Sequence, residues 1–147
     1  MNQNTIQTQS QNVSSSENGE GYLEVKVSTA KDAIPLGNAR VTVYDNENNT
    51  AILYSITTDS AGLTERVKIK TVSASASQAP SEGKPYKTVN VEVLAIGYTP
   101  VHFLNLPIFD NILSVQRANM VPISESGSNL VYDFNEISNY PVFPNNL

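Results

Sequence analysis

The chain has 147 residues, room for one ordinary domain with tails. Its formal net charge is −5 and no Lys/Arg cluster is visible, which argues against binding nucleic-acid phosphates or an anionic lipid surface. Cysteine is absent, which removes disulfides, thiolate nucleophiles and Cys-ligated metals from consideration.

The first 20 residues, "MNQNTIQTQSQNVSSSENGE", are Asn, Gln and Ser with almost no apolar content. They cannot bury enough surface to offset the entropy of ordering, so a disordered polar tail is expected over 1–20. The segment has no basic start and no apolar run, so it does not read as a secretory signal. No later segment approaches the ~20 apolar residues of a membrane helix, and no membrane insertion is expected.

The pattern then changes to period two. "YLEVKV" sets Leu23, Val25 and Val27 on one face and Glu24 and Lys26 on the other, which predicts a half-buried strand. "DAIPLGN" is a connection, and "ARVTVY" alternates again with Ala39, Val41 and Val43 inward. After the turn cluster "DNENN" come the predicted strands "AILYSITT" and "LTERVKIK", separated by "DSAG". Glu65 falls on the apolar face of the second of these, so an edge or a bulge is expected early in it. Residues 71–85 read as a long polar loop. "YKTVNVEVLAIG" places Val89, Val91, Val93 and Ala95 on one face, and "YTPVHFLNLPIF" is a sixth strand broken by Pro100 and Pro107. Proline cannot donate to a ladder, so that strand lies at an edge or stops at each proline. "NILSVQRANMVPI" is the seventh.

Short strands at roughly 8–12-residue spacing predict a seven-stranded antiparallel β-sandwich over 21–124. The last segment, 125–147, is a C-terminal tail. Within it "NLVYDFNEISNY" carries Leu130, Val131, Phe134 and Ile137, a spacing that predicts one or two amphipathic helical turns. Its aromatics are too many for a pure linker, so it either folds over the sandwich or docks on something else.

Taken together, "GYLEVKV", "ARVTVY", "TTDSAG", "VNVEVLAIGY" and the closing Val121-Pro122 resemble the carboxypeptidase regulatory-like domains, with their transthyretin-like sandwich. "VSTAKDAIPLGNARVTV" and "PIFDNILSVQRANMVPI" are also similar to N-terminal domains of some clostridial spore cortex-lytic enzymes and related peptidoglycan-binding proteins. The resemblance covers about residues 21–124. It implies a non-catalytic module at a bacterial spore or cell envelope, with a protein partner or peptidoglycan as ligand. Two alternatives are carried beside it. One is a structural subunit of a larger particle, a spore coat or phage-like assembly, whose tails order on assembly. The other is a glycan or peptide hydrolase. Edge pairing in some transthyretin-like relatives makes a homo-oligomer a further expectation.

The residues that could carry chemistry have structural readings beside them. In "TTDSAG", Asp59 suits a turn whose side chain accepts backbone N–H bonds, with Gly62 in the positive-φ position. A hydrolase would instead need Asp59 beside a second carboxylate, such as Asp45 or Asp110. Gly97 reads as a structural turn and Tyr98 as strand-end packing. Asp45, Glu47 and Asn49 alternate as calcium ligands do, but the sixth and twelfth positions of such a loop hold Thr50 and Ile56. His102, the only histidine, has no second His or Cys to complete a zinc site and is expected on a strand's polar face. An internal Lys–Asn isopeptide bond, found in some adhesin sandwiches, needs an inward Lys, whereas Lys26, Lys68 and Lys70 oppose the apolar faces of their strands. Tyr44, Tyr54, Tyr86 and Tyr98 are the candidates for a glycan platform. No cofactor and no metal are expected.

Overall fold

The computed structural model describes residues 18–47, 51–77, 83–126 and 132–135. The chain is an all-β sandwich. Among the described residues the strands are β1 (Gly19–Thr29), β2 (Ile34–Pro35), β3 (Arg40–Asp45), β4 (Ile52–Thr57), β5 (Val67–Thr71), β6 (Lys87–Leu94), β7 (Val101–Ile108), β8 (Leu113–Met120) and β9 (Tyr132–Asn135). Single-turn helices occur at α1 (Ala74–Ser77) and α2 (Ile123–Ser126).

In one sheet β1 is central. It pairs with β8 along Tyr22–Thr29. On its other side lie β5, over Gly19–Leu23, and β2, over Ser28–Thr29. The second sheet runs β4-β3-β6-β7-β9. Period-two apolar residues explain why the layers close. Leu23, Val25 and Val27 of β1, Val41 and Val43 of β3, and Val89, Val91 and Val93 of β6 are all at or below 1% exposed. Each such side chain contributes about 1.5–3 kcal/mol on burial.

The architecture departs from the sequence-based expectation in three ways. Among the described residues there are nine strands rather than seven, the additions being the two-residue β2 and the C-terminal β9. The sandwich is not wholly antiparallel: β1–β8 and β7–β9 are parallel pairs. The segment read as helical turns forms a strand at Tyr132–Asn135, with Tyr132 opposite Val101 and Phe134 opposite Phe103. The first strand also starts at Gly19, two residues inside the segment assigned to the tail. The rest of that tail, residues 1–17, lies outside the described residues, as do 136–147.

The prolines sit where a ladder donor is not required. Pro100 precedes β7, and Pro107 lies in the half of β7 that β9 does not reach, since β9 stops opposite Leu104. The expected irregularity near Glu65 is a gap: Leu63 bridges Lys26, residues 64–66 are out of the strand, and β5 begins at Val67.

The β1–β2 corner holds an unusual turn. Ala30, Lys31 and Asp32 have φ of 52°, 55° and 68°, three successive non-glycine residues in the left-handed region. Each such residue is disfavoured by Cβ–carbonyl crowding. The turn is held by Ser28 Oγ donating to Asp32 Oδ1 at 2.6 Å and by the Ala33 N–H donating to the Ala30 carbonyl at 3.2 Å. Lys31 is exposed, so Lys31→Gly is expected to stabilise the fold by about 1 kcal/mol. A urea titration that shows an unchanged or lower midpoint would reject strain at this turn.

Candidate functional site

Asp59 sits at a tight corner after β4. Its Oδ1 accepts the N–H of Ala61 at 2.9 Å and of Leu63 at 3.0 Å. Its own backbone closes the loop: the Gly62 N–H donates to the Asp59 carbonyl at 2.9 Å, and the Asp59 N–H to the Leu63 carbonyl at 2.9 Å. Gly62 has φ of 74°, and its carbonyl accepts the Val27 N–H at 2.7 Å. The corner therefore docks on the C-terminal half of β1. Gly97, φ 86°, is the third residue of a second turn, closed by the Tyr98 N–H donating to the Ala95 carbonyl at 3.1 Å.

The fold does not gather the carboxylates named for a hydrolase. Asp59 follows the end of β4 that pairs with Arg40, whereas Asp45 ends β3 at the other extremity. Five strand residues separate those ends by roughly 17 Å, beyond the reach of a carboxylate pair flanking a glycosidic bond. Asp110 also lies at the far end, beside Glu20. Its Oδ1 accepts the Glu20 N–H at 3.0 Å and its Oδ2 the Ala74 N–H at 2.9 Å, so it clamps the start of β1 to α1. These bonds, from Ala74 first and Glu20 second, hold its carboxyl below the usual carboxylate range.

A group with a depressed folded-state pKa stabilises above its unfolded value and loses that contribution as pH falls through the folded one. Asp110→Asn is accordingly expected to lower the thermal midpoint at neutral pH, with the gap to the parent chain closing as the pH falls below 4. A gap constant from pH 7 to pH 2 would rule out this charge-assisted clamp.

The outer face of the β3-β6-β7 sheet carries a shallow groove of about 250 Å³, lined by Tyr44, Asn90, Glu92, His102 and Leu104 among others. His102 Nε2 lies 3.0 Å from Glu92 Oε2, both half-exposed. Next to it is a polar network that sequence patterning did not suggest. Asn46 Nδ2 donates to Thr88 Oγ1 at 2.6 Å and to Asn105 Oδ1 at 2.8 Å, and the Asn105 N–H donates to Asn90 Oδ1 at 2.9 Å. Asn105, φ 59°, marks the register shift between β6 and β7.

A second groove, about 360 Å³, opens between the β4 and β5 edges and is lined by Glu20, Leu53, Tyr54, Lys68, Lys70 and Lys87 among others. Lys68 Nζ pairs with Glu20 Oε2 at 3.2 Å and Lys87 Nζ with Asp45 Oδ2 at 3.6 Å. The Glu20 hydrogen bond and charge raise the Lys68 pKa. Tyr54 closes the groove from one sheet to the other by donating its hydroxyl to the Lys68 carbonyl.

The four tyrosines do not share one face. Tyr54 and Tyr98 pack partly into the core, Tyr44 lines the first groove, and Tyr86 packs at a 60° tilt against Phe109 with centroids 5.3 Å apart. Lys68 and Lys70 are exposed and Lys26 is half-buried. Of the alternating acidic loop, Asp45 Oδ1 accepts the Glu47 N–H at 3.0 Å, and Asn49 lies outside the described residues. Among the described residues no three His, Cys, Asp or Glu side chains come together as a metal site would require.

No protein-family model matches the chain, and no curated protein matches it. Solved structures give distant likenesses. The Bacillus anthracis TIE protein aligns with a TM-score of 0.47 at 12% identity, covering 71% of this chain and 17% of that one. Catechol 1,2-dioxygenase from Pseudomonas arvilla C-1 aligns at 0.43 and 12% identity, covering 75% and 55%. 3-Chlorocatechol 1,2-dioxygenase from Rhodococcus opacus 1CP aligns at 0.41 and 11% identity, covering 75% and 63%. The chain thus spans less than two thirds of each of these proteins.

Proposed function

We propose that this chain is a non-catalytic binding or structural module that works by presenting its sandwich surface and edges to a protein partner or to peptidoglycan, at a bacterial spore or cell envelope. The observation that carries the reading is the engagement of two of the carboxylates that a hydrolase would need. Asp59 uses an oxygen on backbone N–H groups of its own turn, and Asp110 uses both oxygens on the backbone N–H groups of Glu20 and Ala74. Carboxylates spent in this way position backbone rather than substrate. The envelope assignment draws on the resemblance of residues 21–124 alone.

A second reading, a structural subunit of a coat or phage-like particle, is favoured by a specific feature: β8 is a full-length strand that pairs, among the described residues, with β1 only. Sedimentation of the full chain with purified peptidoglycan tests the first reading. Co-sedimentation that saturates with added protein supports it. A chain that stays in the supernatant while hydrolysing peptidoglycan or a peptide overturns the non-catalytic assignment.

A further inference from the structure

Most edges of this sandwich carry the devices that discourage strand addition. β5 presents Lys68 and Lys70, β4 has a register shift against β3 at Val43/Tyr44, and the half of β7 that no described strand covers on that side contains Pro107. β8 has neither the proline nor the register break, and one charged side chain where β5 has two. Its residues stay in unbroken register with β1 over eight positions, without proline or bulge. Val115, midway along it, is 48% exposed, and Arg117 is its one charged side chain.

The direction of its backbone groups follows from two bonds. The Ile112 carbonyl accepts the Tyr22 N–H at 2.9 Å, and the Met120 carbonyl accepts the Thr29 hydroxyl at 2.8 Å. Both therefore face β1. Backbone groups alternate along a strand, so those of Leu113, Val115, Arg117 and Asn119 face away from β1. The Arg117 carbonyl is met there by the Gln116 side-chain amide of its own strand, at 3.2 Å. This row of outward N–H and C=O groups is a template for another extended segment.

We infer that this edge of β8 is a strand-addition site whose occupant is the N-terminal arm, residues 1–17, of a second copy of the chain. The inference rests on the subunit reading above and names its joint. Three features select the arm. Its first 16 residues contain no charged side chain, no proline and no glycine, and they are rich in Thr, Gln, Ser and Asn with Ile6 and Val13. Low charge and absence of proline are what an added strand needs. Its length also suffices: 17 extended residues reach roughly 55 Å, more than twice the ~20 Å of edge from Leu113 to Asn119. Finally, each chain carries a net charge of −5, so pairing two bodies edge to edge brings like charges together, whereas an uncharged arm keeps them apart.

The arm's point of departure favours another copy over its own edge. It leaves at Gly19, where a Cβ would lie 2.8 Å from both Asp110 Cγ and the Val72 carbonyl oxygen. The 109–112 turn is bonded along this end of β1: the Asn111 N–H donates to the Glu20 carbonyl at 2.8 Å, and the Tyr22 N–H to the Ile112 carbonyl. To reach its own β8 edge the arm must pass around that turn, and to reach a neighbour's it need not. An arm that pairs with the β8 edge of another copy makes a head-to-tail contact, which extends into a ring or an open fibre.

The test is sedimentation velocity on the full chain across about a thousandfold range of concentration, beside Arg117→Pro and a chain lacking 1–17. Proline at 117 removes one outward N–H and spares the bonds to β1, and an edge position tolerates it. Concentration-dependent oligomers of the full chain, lost in both variants with the thermal midpoint held within a few degrees, are expected. A full chain that remains monomeric overturns the inference. Oligomers that survive loss of the arm but not Arg117→Pro assign the edge to direct β8–β8 pairing and overturn the choice of occupant.

Should Arg117→Pro unfold, the cysteine-free background supplies a second measurement. Chains carrying Gln9→Cys and chains carrying Val115→Cys are mixed and oxidised. A mixed disulfide dimer is expected, and its absence overturns the proposal. Binding of peptidoglycan by a strictly monomeric chain would reject this joint while leaving the envelope reading intact.

Discussion

Gly62→Ala is expected to destabilise the fold by about 3 kcal/mol, enough to shift a urea midpoint by more than 1 M at a typical slope for this size. Two costs add. Gly62 holds φ at 74°, where an alanine Cβ crowds its own carbonyl, at about 1 kcal/mol. The larger cost is contact. A Cβ built there lies 2.3 Å from the Val27 carbonyl oxygen and 3.2 Å from the Leu36 nitrogen. Those two atoms are bonded to each other at 3.0 Å, so the methyl group must push apart the loop leading from β2 and the C-terminal half of β1. Backbone cannot yield as a side-chain tip does, hence a further ~2 kcal/mol. A loss under 1 kcal/mol by chemical denaturation would mean that the corner moves freely, and the account of "TTDSAG" as a turn clamped onto β1 would fail.

That motif shows which part of the fold the chain discloses locally. An Asp three residues before a Gly, between two apolar runs, suffices to place a turn, because the bonds involved lie within five residues. The same holds for β1, β3 and β6, whose alternating Val and Leu state which face is buried. Alternation says nothing about which strand is the neighbour or in which direction it runs. Alternation and strand spacing alone therefore predict β8 as one more antiparallel strand, although it lies parallel to β1, some 90 residues away in the chain. β9 was missed for a different reason. Leu130, Val131, Phe134 and Ile137 fit a helical stripe as well as a strand, and four residues are too few for period to decide. Only an available edge on β7 makes a strand of Tyr132–Asn135.

The candidate sites divide along the same line. Asp59, Gly62 and Gly97 act within their own turns and were visible. The role of Asp110 was not, because its partners, Glu20 and Ala74, are 90 and 36 residues distant. The outward row of β8 amides was likewise invisible, since it exists only once β1 has taken the other side. What the surface of this sandwich exposes is thus set by long-range pairing, which local motifs do not encode.

The buried threonines carry this furthest. Thr71, fully buried at the end of β5, is a polar residue that patterning left at the start of a loop. Its hydroxyl donates to the Ile108 carbonyl at 2.6 Å and accepts the Lys87 N–H at 2.9 Å. Ile108 ends β7 and Lys87 begins β6, so one hydroxyl stitches the β1-centred sheet to the other across the open end of the sandwich. Thr71→Val preserves shape and removes both bonds. The expected cost is about 2–3 kcal/mol, because burying a carbonyl without its donor costs about 1–3 kcal/mol and the lost N–H bond adds to it. Thr71→Ser, which keeps the hydroxyl and deletes a methyl group, should cost only about 1 kcal/mol. Amide exchange separates this stitch from simple packing: in Thr71→Val the Lys87 amide should lose more protection than the amides of β3, whereas Thr71→Ser should leave it protected. If the two variants are equally destabilised and Lys87 exchanges alike in both, the hydroxyl holds nothing and the sheets are joined by apolar packing alone.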